Sequence, residues 1–354
     1  MEDTKNIIGM LELMVHPAFC VKNGKILHSN QAAQSYMLSS GTPVRDLLAT
    51  GVEEYEDFSE GDLYLTLQLA GRSCGAAVTR FEDVDVFVLD QEPEQTELQA
   101  MALAAQELRG PLSGLIAVAD KLFPNIDEQN HSQVAQMNRS LFQIQRIVGN
   151  MSDASRFSQE TASPMDVRNI TAIFREVFGR ARELISSLGI TLRYTTQCGS
   201  IYCMADEDRL ERAIYNILSN AVKFTPKGGT IDVRLIQRGN KLYLTVQDSG
   251  SGIAEIGSVH SRYRREPRLE DGRLGIGLGM VLIRTAAAVH GGTLLIEQPK
   301  DSGARVTMTI AIRESGSMVR SPLYRIDYAG HRDHGLLELS ESLPWELYSA
   351  DSVN

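Results

Sequence analysis

Apolar or small residues recur at Leu98, Met101, Ala105, Leu108, Leu112, Leu115, Ala119 and Leu122, at alternating intervals of three and four. The stretch FPNIDEQNH, residues 123–131, breaks the pattern. A second series then runs through Val134, Met137, Leu141, Ile144, Val148 and Met151. Two heptad segments joined by a short break predict an antiparallel helical hairpin. One hairpin cannot bury two such seams alone, so the pattern predicts a dimer closing into a four-helix bundle. Pro111 falls inside the first helix and is expected to kink it, because it lacks an N–H and crowds the preceding turn. Taken alone, the heptads fit a structural coiled-coil spacer equally well.

Before residue 90 the period is different. Two short β-prone runs meet at Asn23-Gly24, a strong hairpin signal. A helix-like stretch follows at 31–38, and then three strand candidates, LYLTLQLA, CGAAVTRF and VDVFVLD. The polar joint QEPEQTE separates this region from the heptads. Beyond them, residues 166–189 read as an amphipathic helix. TLRYTT and SIYCMAD read as strands, and 207–224 as a helix. Two strands meet at Gly239-Asn240, a helix follows Gly277, and TLLIEQ and RVTMTIAI close as strands. The last region reads as an α/β sandwich with helices on one face of one sheet. The fold class is therefore α+β and multidomain. Its expected units are 1–92, a small α/β domain; 93–160, the hairpin; 161–313, the sandwich; and 314–354, a partly amphipathic tail carrying Trp345 that either docks onto the body or stays loose.

Composition removes some functions. The chain has 354 residues, 43 % hydrophobic and 23 % charged, with a formal net charge of −10. An acidic balance argues against nucleic acid as the main partner, since phosphate neutralisation needs a basic face. No run approaches the ~20 apolar residues of a membrane span, and the acidic start is no signal peptide. A cytoplasmic location is expected. Cys20, Cys74, Cys198 and Cys203 lack CxxC spacing and read as reduced thiols. His16 and His28 are candidate haem ligands, or simply a turn and a strand residue. His331 and His334 flank Asp333 at metal-like spacing, or sit in a solvated turn.

Four segments carry candidate chemistry, in a fixed order. In DEDRLERAIYNILSNAVKFTP, residues 206–226, Asn216, Asn220 and Lys223 share one helical face. Two amides and an ammonium on one stripe suit a magnesium–phosphate group. In DSGSGI, residues 248–253, Asp248 ends a strand, and Gly250 and Gly252 allow close backbone approach to a ligand. In GIGLGM, residues 275–280, glycines open a helix whose free N–H groups can face phosphate. The fourth segment is HGG, residues 290–292, followed by DSGARVTMTI. Each is weak alone. In this order, over 206–312, they resemble the nucleotide boxes of the two-component sensor histidine kinases.

That resemblance implies an ATP-binding domain of the histidine-kinase type, with ATP and Mg²⁺ as cofactors. It assigns Asn220 to the nucleotide's Mg²⁺, with Asn216 and Lys223 adjoining. Asp248 would read the adenine amine, and Gly250, Gly252 and Ile253 would face the base. Gly275, Gly277, Leu278 and Gly279 would cradle the phosphates. The Arg-rich stretch within 253–274 resembles the mobile ATP lid, with Arg262, Arg264 or Arg265 able to reach phosphate. The family's Phe-containing box before the lid is absent. Residues 7–90 resemble a PAS sensor domain by the order of their elements.

The hairpin carries AAQELRGPLSGL, residues 104–115, which resembles the family's H box. Glu107, Leu108, Arg109, Pro111 and Leu112 match. The phosphoacceptor position holds Gln106, whose carboxamide has no basic lone pair with which to accept a phosphoryl group. Glu107, which would activate the acceptor, remains. Gly110 stands where the family often has a side chain that positions a hydrolytic water. Three readings follow. The first is a sensor protein that binds ATP·Mg²⁺, cannot phosphorylate itself in cis, and controls a response regulator or another kinase. The second is a kinase acting in trans on a histidine of another protein, for example in a heterodimer, the hairpin itself being expected to form a homodimer or a heterodimer. The third is a non-enzymatic scaffold.

Overall fold

The computed structural model describes residues 2–90, 95–122, 126–159, 165–252, 278–299, 303–313 and 332–349. It opens with helix α1 (Glu2–Leu13), which the hydrophobic pattern does not announce. Strands β1 (Ala18–Lys22) and β2 (Lys25–Ser29) follow, joined through Asn23 and Gly24. Both turn residues have positive φ, 53° and 71°, as a two-residue hairpin of this hand requires. The predicted helix at 31–38 is a 3-10 helix, Gln31–Tyr36. Helix α2 (Val52–Asp57) leads to β3 (Asp62–Leu69), β4 (Arg72–Phe81) and β5 (Val84–Leu89). The strands run in the order β2-β1-β5-β4-β3. Phe19 and Phe87 stack in their core at 4.6 Å. Buried Asn30 fixes α1 to this sheet by donating to the Leu11, Met14 and His16 carbonyls while accepting from the Ala18 and Ala33 N–H groups. His28 bonds Glu12 of α1 through Nε2 at 2.6 Å.

Helices α3 (Gln95–Leu122) and α4 (His131–Gln159) form the hairpin, and Pro111 lies inside α3. Every second heptad position packs within it: Ala105, Leu112 and Ala119 meet Val134, Leu141 and Val148. The alternate positions Leu108, Leu115, Leu122, Met137 and Ile144 stay between 44 % and 59 % exposed. A second apolar stripe is thus left uncovered in a single chain.

The third unit begins with a correction. Residues 166–169 are a strand, β6 (Asp166–Asn169), and not the first turn of a helix. It pairs with β8 (Tyr202–Ala205) in a separate two-stranded sheet. Helix α5 (Ile170–Ser186) starts only after Asn169, whose side chain accepts the Ala172 N–H. Strand β7 (Thr191–Thr196), helix α6 (Glu207–Phe224), and strands β9 (Thr230–Arg238) and β10 (Lys241–Asp248) come next. Helix α7 (Leu278–Val289), β11 (Leu294–Glu297) and β12 (Arg305–Ala311) complete it. The order is β11-β12-β10-β9-β7, antiparallel except for β7 beside β9. Alternate residues Leu242, Leu244 and Val246 of β10 point into one core with Phe174, Ile217 and Ile283 of the three helices.

Two features join the parts of the chain, the first unforeseen and the second one of two alternatives the tail left open. First, β3 pairs with β11, joining both sheets into one of ten strands; Tyr64, Leu63 and Asp62 oppose Leu294, Leu295 and Ile296. Lys241 donates to both Glu54 carboxylate oxygens across the joint at 2.8 Å. Arg284 of α7 lies over the Tyr64 ring at 4.5 Å, and the Tyr64 hydroxyl donates to Asp90. Burial pushes the Asp90 carboxyl up to about 7, with Arg284 pulling the other way. A carboxyl raised in the folded state stabilises it while protonated. That contribution is complete below the unfolded value, about 3.9, and is lost as pH rises through the folded one. The thermal unfolding midpoint should therefore fall between about pH 4 and pH 7. Asp90→Asn should flatten that slope; an unaltered slope in the variant would refute the assignment.

Second, the end of the chain docks. Helix α8 (His334–Glu338) and a 3-10 turn, Trp345–Tyr348, pack Leu336, Leu337, Leu339, Leu343 and Tyr348 into the core of the third unit. Asp333 caps α8 and pairs with Arg180 at 2.7 Å, so it is no part of a solvated turn. Among the described residues, no helix is long and apolar enough to cross a membrane.

Candidate functional site

Helix α6 is held at its start by two caps. The Asp206 carboxylate accepts the Arg209 N–H, and the Asp206 N–H donates to His290 Nε2 at 3.0 Å. The opposite nitrogen of His290 bonds the Ala286 carbonyl at 2.7 Å. Burial lowers the His290 pKa, so the ring stays neutral and takes both roles. His290 thereby ties the end of α7 to the beginning of α6. This anchoring is structural and explains a histidine in the HGG segment.

On the face of α6 that carries Asn216, Asn220 and Lys223, Asn216 meets α7 and the hairpin. Asn216 is buried; its amide donates to the Arg212 carbonyl at 2.8 Å and accepts from Arg146 of α4 at 3.4 Å. Gly279 is what lets α7 come so close, since a Cβ there would stand 2.7 Å from Asn216 Oδ1. Asn220, one turn on, is exposed. Lys223 is paired with Glu341 of the docked tail.

Asp248 ends β10 and is 6 % exposed. Its two oxygens accept the Gly250 N–H at 2.8 Å and the Ala304 N–H at 3.2 Å. Burial pushes its carboxyl up, and these two donors pull it back down. The glycines around it are required by contact. A Cβ at Gly250 would meet the Phe224 carbonyl at 2.3 Å, and one at Gly303 would meet the Asp248 carbonyl at 2.2 Å. The Asp248 loop is thus pressed against the C-terminal end of α6. Gly252 has φ of 75°, with Gln298 beside it.

The structure brings together α6, the Asp248 loop and the start of α7, with Asn216, Asn220, Lys223, Asp248, Gly250, Gly252, Leu278 and Gly279. Ile253, Gly275 and Gly277 lie outside the described residues, as do Arg262, Arg264, Arg265 and His331. Leu278, 3 % exposed, packs on Met101 and Met151 of the hairpin. Gln106 stands five residues beyond Met101 on α3, about 7.5 Å along the axis. Its side chain and that of Glu107 are exposed. Arg109 donates to Ser152 of α4 at 2.8 Å and braces the hairpin there.

Sequence reasoning missed the charge cluster between hairpin and α6. Glu338 is fully buried between Arg146, at 3.4 Å, and Arg212, at 3.3 Å. Arg212 also pairs with Asp153 and donates to Asn150 at 2.8 Å. Arg146 reaches Glu341 at 3.2 Å as well. His334 bonds Glu211 at 2.9 Å rather than standing with Asp333 as a metal ligand. Among the described residues, no group of three or more His, Cys, Asp or Glu is placed to hold a metal ion.

Residues 205–314 match the family model described as histidine kinase-, DNA gyrase B-, and HSP90-like ATPase. Over 226 residues the chain is 27 % identical to the sensor histidine kinase RppB of Synechocystis, an overlap of 62 % of this chain and 50 % of that protein. It is 25 % identical to the histidine protein kinase DivJ of Caulobacter vibrioides over 249 residues, 65 % of this chain and 41 % of DivJ. The chain thus spans half the length, or less, of these relatives. Among solved structures, full-length ShkA in complex with AMPPNP shares the fold with a TM-score of 0.51 at 21 % identity, covering 63 % of this chain and 47 % of that one.

Proposed function

We propose, from the premise that this chain belongs to the two-component histidine kinase family, that it is a cytoplasmic, PAS-linked signalling protein that binds ATP·Mg²⁺ and cannot phosphorylate itself in cis. The observation that carries this reading is a pairing. The nucleotide-facing set of Asn220, Lys223 and Asp248 is retained, while Gln106 stands exposed on α3 where the family's acceptor belongs.

The residues fit the cofactor. Asp248 is a buried carboxylate oriented by two N–H groups and suits an exocyclic amine. Asn220 offers an exposed amide oxygen on the face that holds Lys223. Mg²⁺ keeps several waters and takes few protein ligands beside the substrate phosphates, and Asn220 would offer it an amide oxygen. When bound, the nucleotide would supply a transferable phosphoryl group. In this chain Asp248 would select the base, Asn220 and Lys223 would hold the phosphate end, and Gln106 would offer it no nucleophile.

Calorimetry should give micromolar, Mg²⁺-dependent ATP binding, and absence of any saturable heat would sink the reading. After incubation with labelled ATP the purified chain should carry no acid-labile phosphate. Label that disappears in His131→Ala would reveal a displaced acceptor on α4.

The uncovered stripe on the hairpin supports a dimer as the working unit, with itself or with another kinase, and a response regulator as the downstream partner. Leu115→Glu should convert dimer to monomer in light scattering, because a charge would be buried without a partner. The folded chain should be otherwise unperturbed, since Leu115 is 59 % exposed in the single copy. A dimer that survives the change would place the interface elsewhere. A heterodimer with an acceptor-bearing partner would turn the same nucleotide site to phosphorylation in trans.

A further inference from the structure

The docked segment 332–349 is built against two partners at once. On the hairpin side, Arg139 donates to the Ser340 and Glu341 carbonyls at 3.1 and 3.0 Å. Gln143 donates to Ser340 at 3.1 Å, and Asn138 to the Tyr348 carbonyl at 3.0 Å. Phe142 meets the Tyr348 ring edge-on at 5.2 Å. On the other side, the segment's leucines share a core with α5 and α6.

Two carboxylates project from it toward cations. Glu338 lies between Arg146 and Arg212. Glu341 bridges Arg146 and Lys223. Burial opposes ionisation of Glu341, but Arg146 and Lys223 outweigh it and hold its carboxyl below the ordinary range. Arg146 also touches Asn216. The pair Arg146–Glu341 therefore spans the helical face from Asn216 to Lys223. Beside it, Lys223 borders a cavity of about 300 Å³ that Glu341 and Ser342 wall on the tail side. A carboxylate between a lysine and an arginine stands where a phosphate group would find the same two charges.

We infer that the segment 332–349 is an internal competitor for the nucleotide site, in which Glu341 occupies Lys223 in place of a nucleotide phosphate, so that tail docking and triphosphate binding oppose each other. The inference rests on the nucleotide reading above and adds its regulation. The same contacts pin the third unit to α4, so displacement of Glu341 by phosphate also loosens the third unit from the hairpin. Coupling of this kind is reciprocal: whatever holds the tail down weakens nucleotide, and nucleotide weakens the tail.

Calorimetry on the full chain, with Mg·ATP and separately with adenosine, tests it. Glu341→Gln should bind Mg·ATP about tenfold more tightly than the parent, as expected if docking leaves about a tenth of molecules competent. Adenosine, which lacks the contested group, should bind both proteins alike. Equal, measurable ATP affinities would overturn the competition and leave nucleotide binding standing, and so would an equal gain for both ligands. Binding of neither ligand to either protein would remove the nucleotide reading and this inference with it. Hydrogen exchange on the unaltered chain needs no variant. The Leu337, Leu339 and Leu343 amides, bonded to Asp333, Gly335 and Leu339, should lose protection on adding saturating Mg·ATP and keep it with adenosine. Unchanged protection with Mg·ATP would overturn the inference.

Discussion

Gln106→His should take up acid-labile phosphate from labelled ATP where the unaltered chain is expected to take up none. The change is local. Position 106 is exposed on α3, and exposed substitutions away from special features cost within about 0.5 kcal/mol. Glu107, exposed next to it, would be in place to orient an imidazole. Leu278, at the start of α7, already rests on Met101 of the same helix, so the start of α7 lies between about one and two helical turns from position 106 along α3. Once formed, the phosphohistidine should be long-lived, because Gly110 has no side chain with which to position a hydrolytic water. A protein that binds ATP yet gains no label would show that more than the acceptor is missing. The double variant with Glu341→Gln would then tell whether the docked tail holds the two sites apart.

Asp248→Ala should weaken ATP binding by at least about a hundredfold, roughly 3 kcal/mol. The loss has two parts. The adenine amine loses a charged acceptor, and hydrogen bonds to charged groups are the stronger kind. The Gly250 and Ala304 N–H groups lose their common acceptor in the same step, so the loop that frames the base loses its internal tie. Calorimetry checks the affinity, and the unfolding midpoint separates loss of the site from loss of the fold. Retention of parental affinity would remove Asp248 from base recognition.

Much of the architecture could be read from period and turn chemistry. The Asn23-Gly24 turn and the alternating strands that follow are local statements, and so are the heptads of the hairpin. The heptads could not tell which residues close the hairpin and which stay open. Ala105, Leu112 and Ala119 look the same in the series as Leu108, Leu115 and Leu122, and only the packing of α3 on α4 separates them. Strand β6 was misread because four residues with two charges carry no alternation. The tail was left open between docking and standing loose for a related reason: Leu336, Leu339 and Leu343 keep a helical spacing of three and four over one short run only, and their burial depends on a core formed with distant residues. Arg146 reads as one more polar residue on a helix flank. Its reach to Asn216, Glu338 and Glu341 exists only after α4, α6 and the tail converge. For the candidate site, the motifs named the residues and their order, and the fold supplied what surrounds them.

The pairing of β3 with β11 also bears on how such a protein can be taken apart and recombined. Without the first ninety residues, β11 would present a bare row of backbone donors and acceptors, the kind of edge that recruits other chains. Gly61, whose missing Cβ leaves room for the Ile296 carbonyl, is cut to fit this one neighbour. The N-terminal unit is therefore no interchangeable cassette. A chimaera that grafts a foreign input domain onto residue 95 would inherit an unprotected strand, and its first failure would be aggregation rather than deafness to a signal.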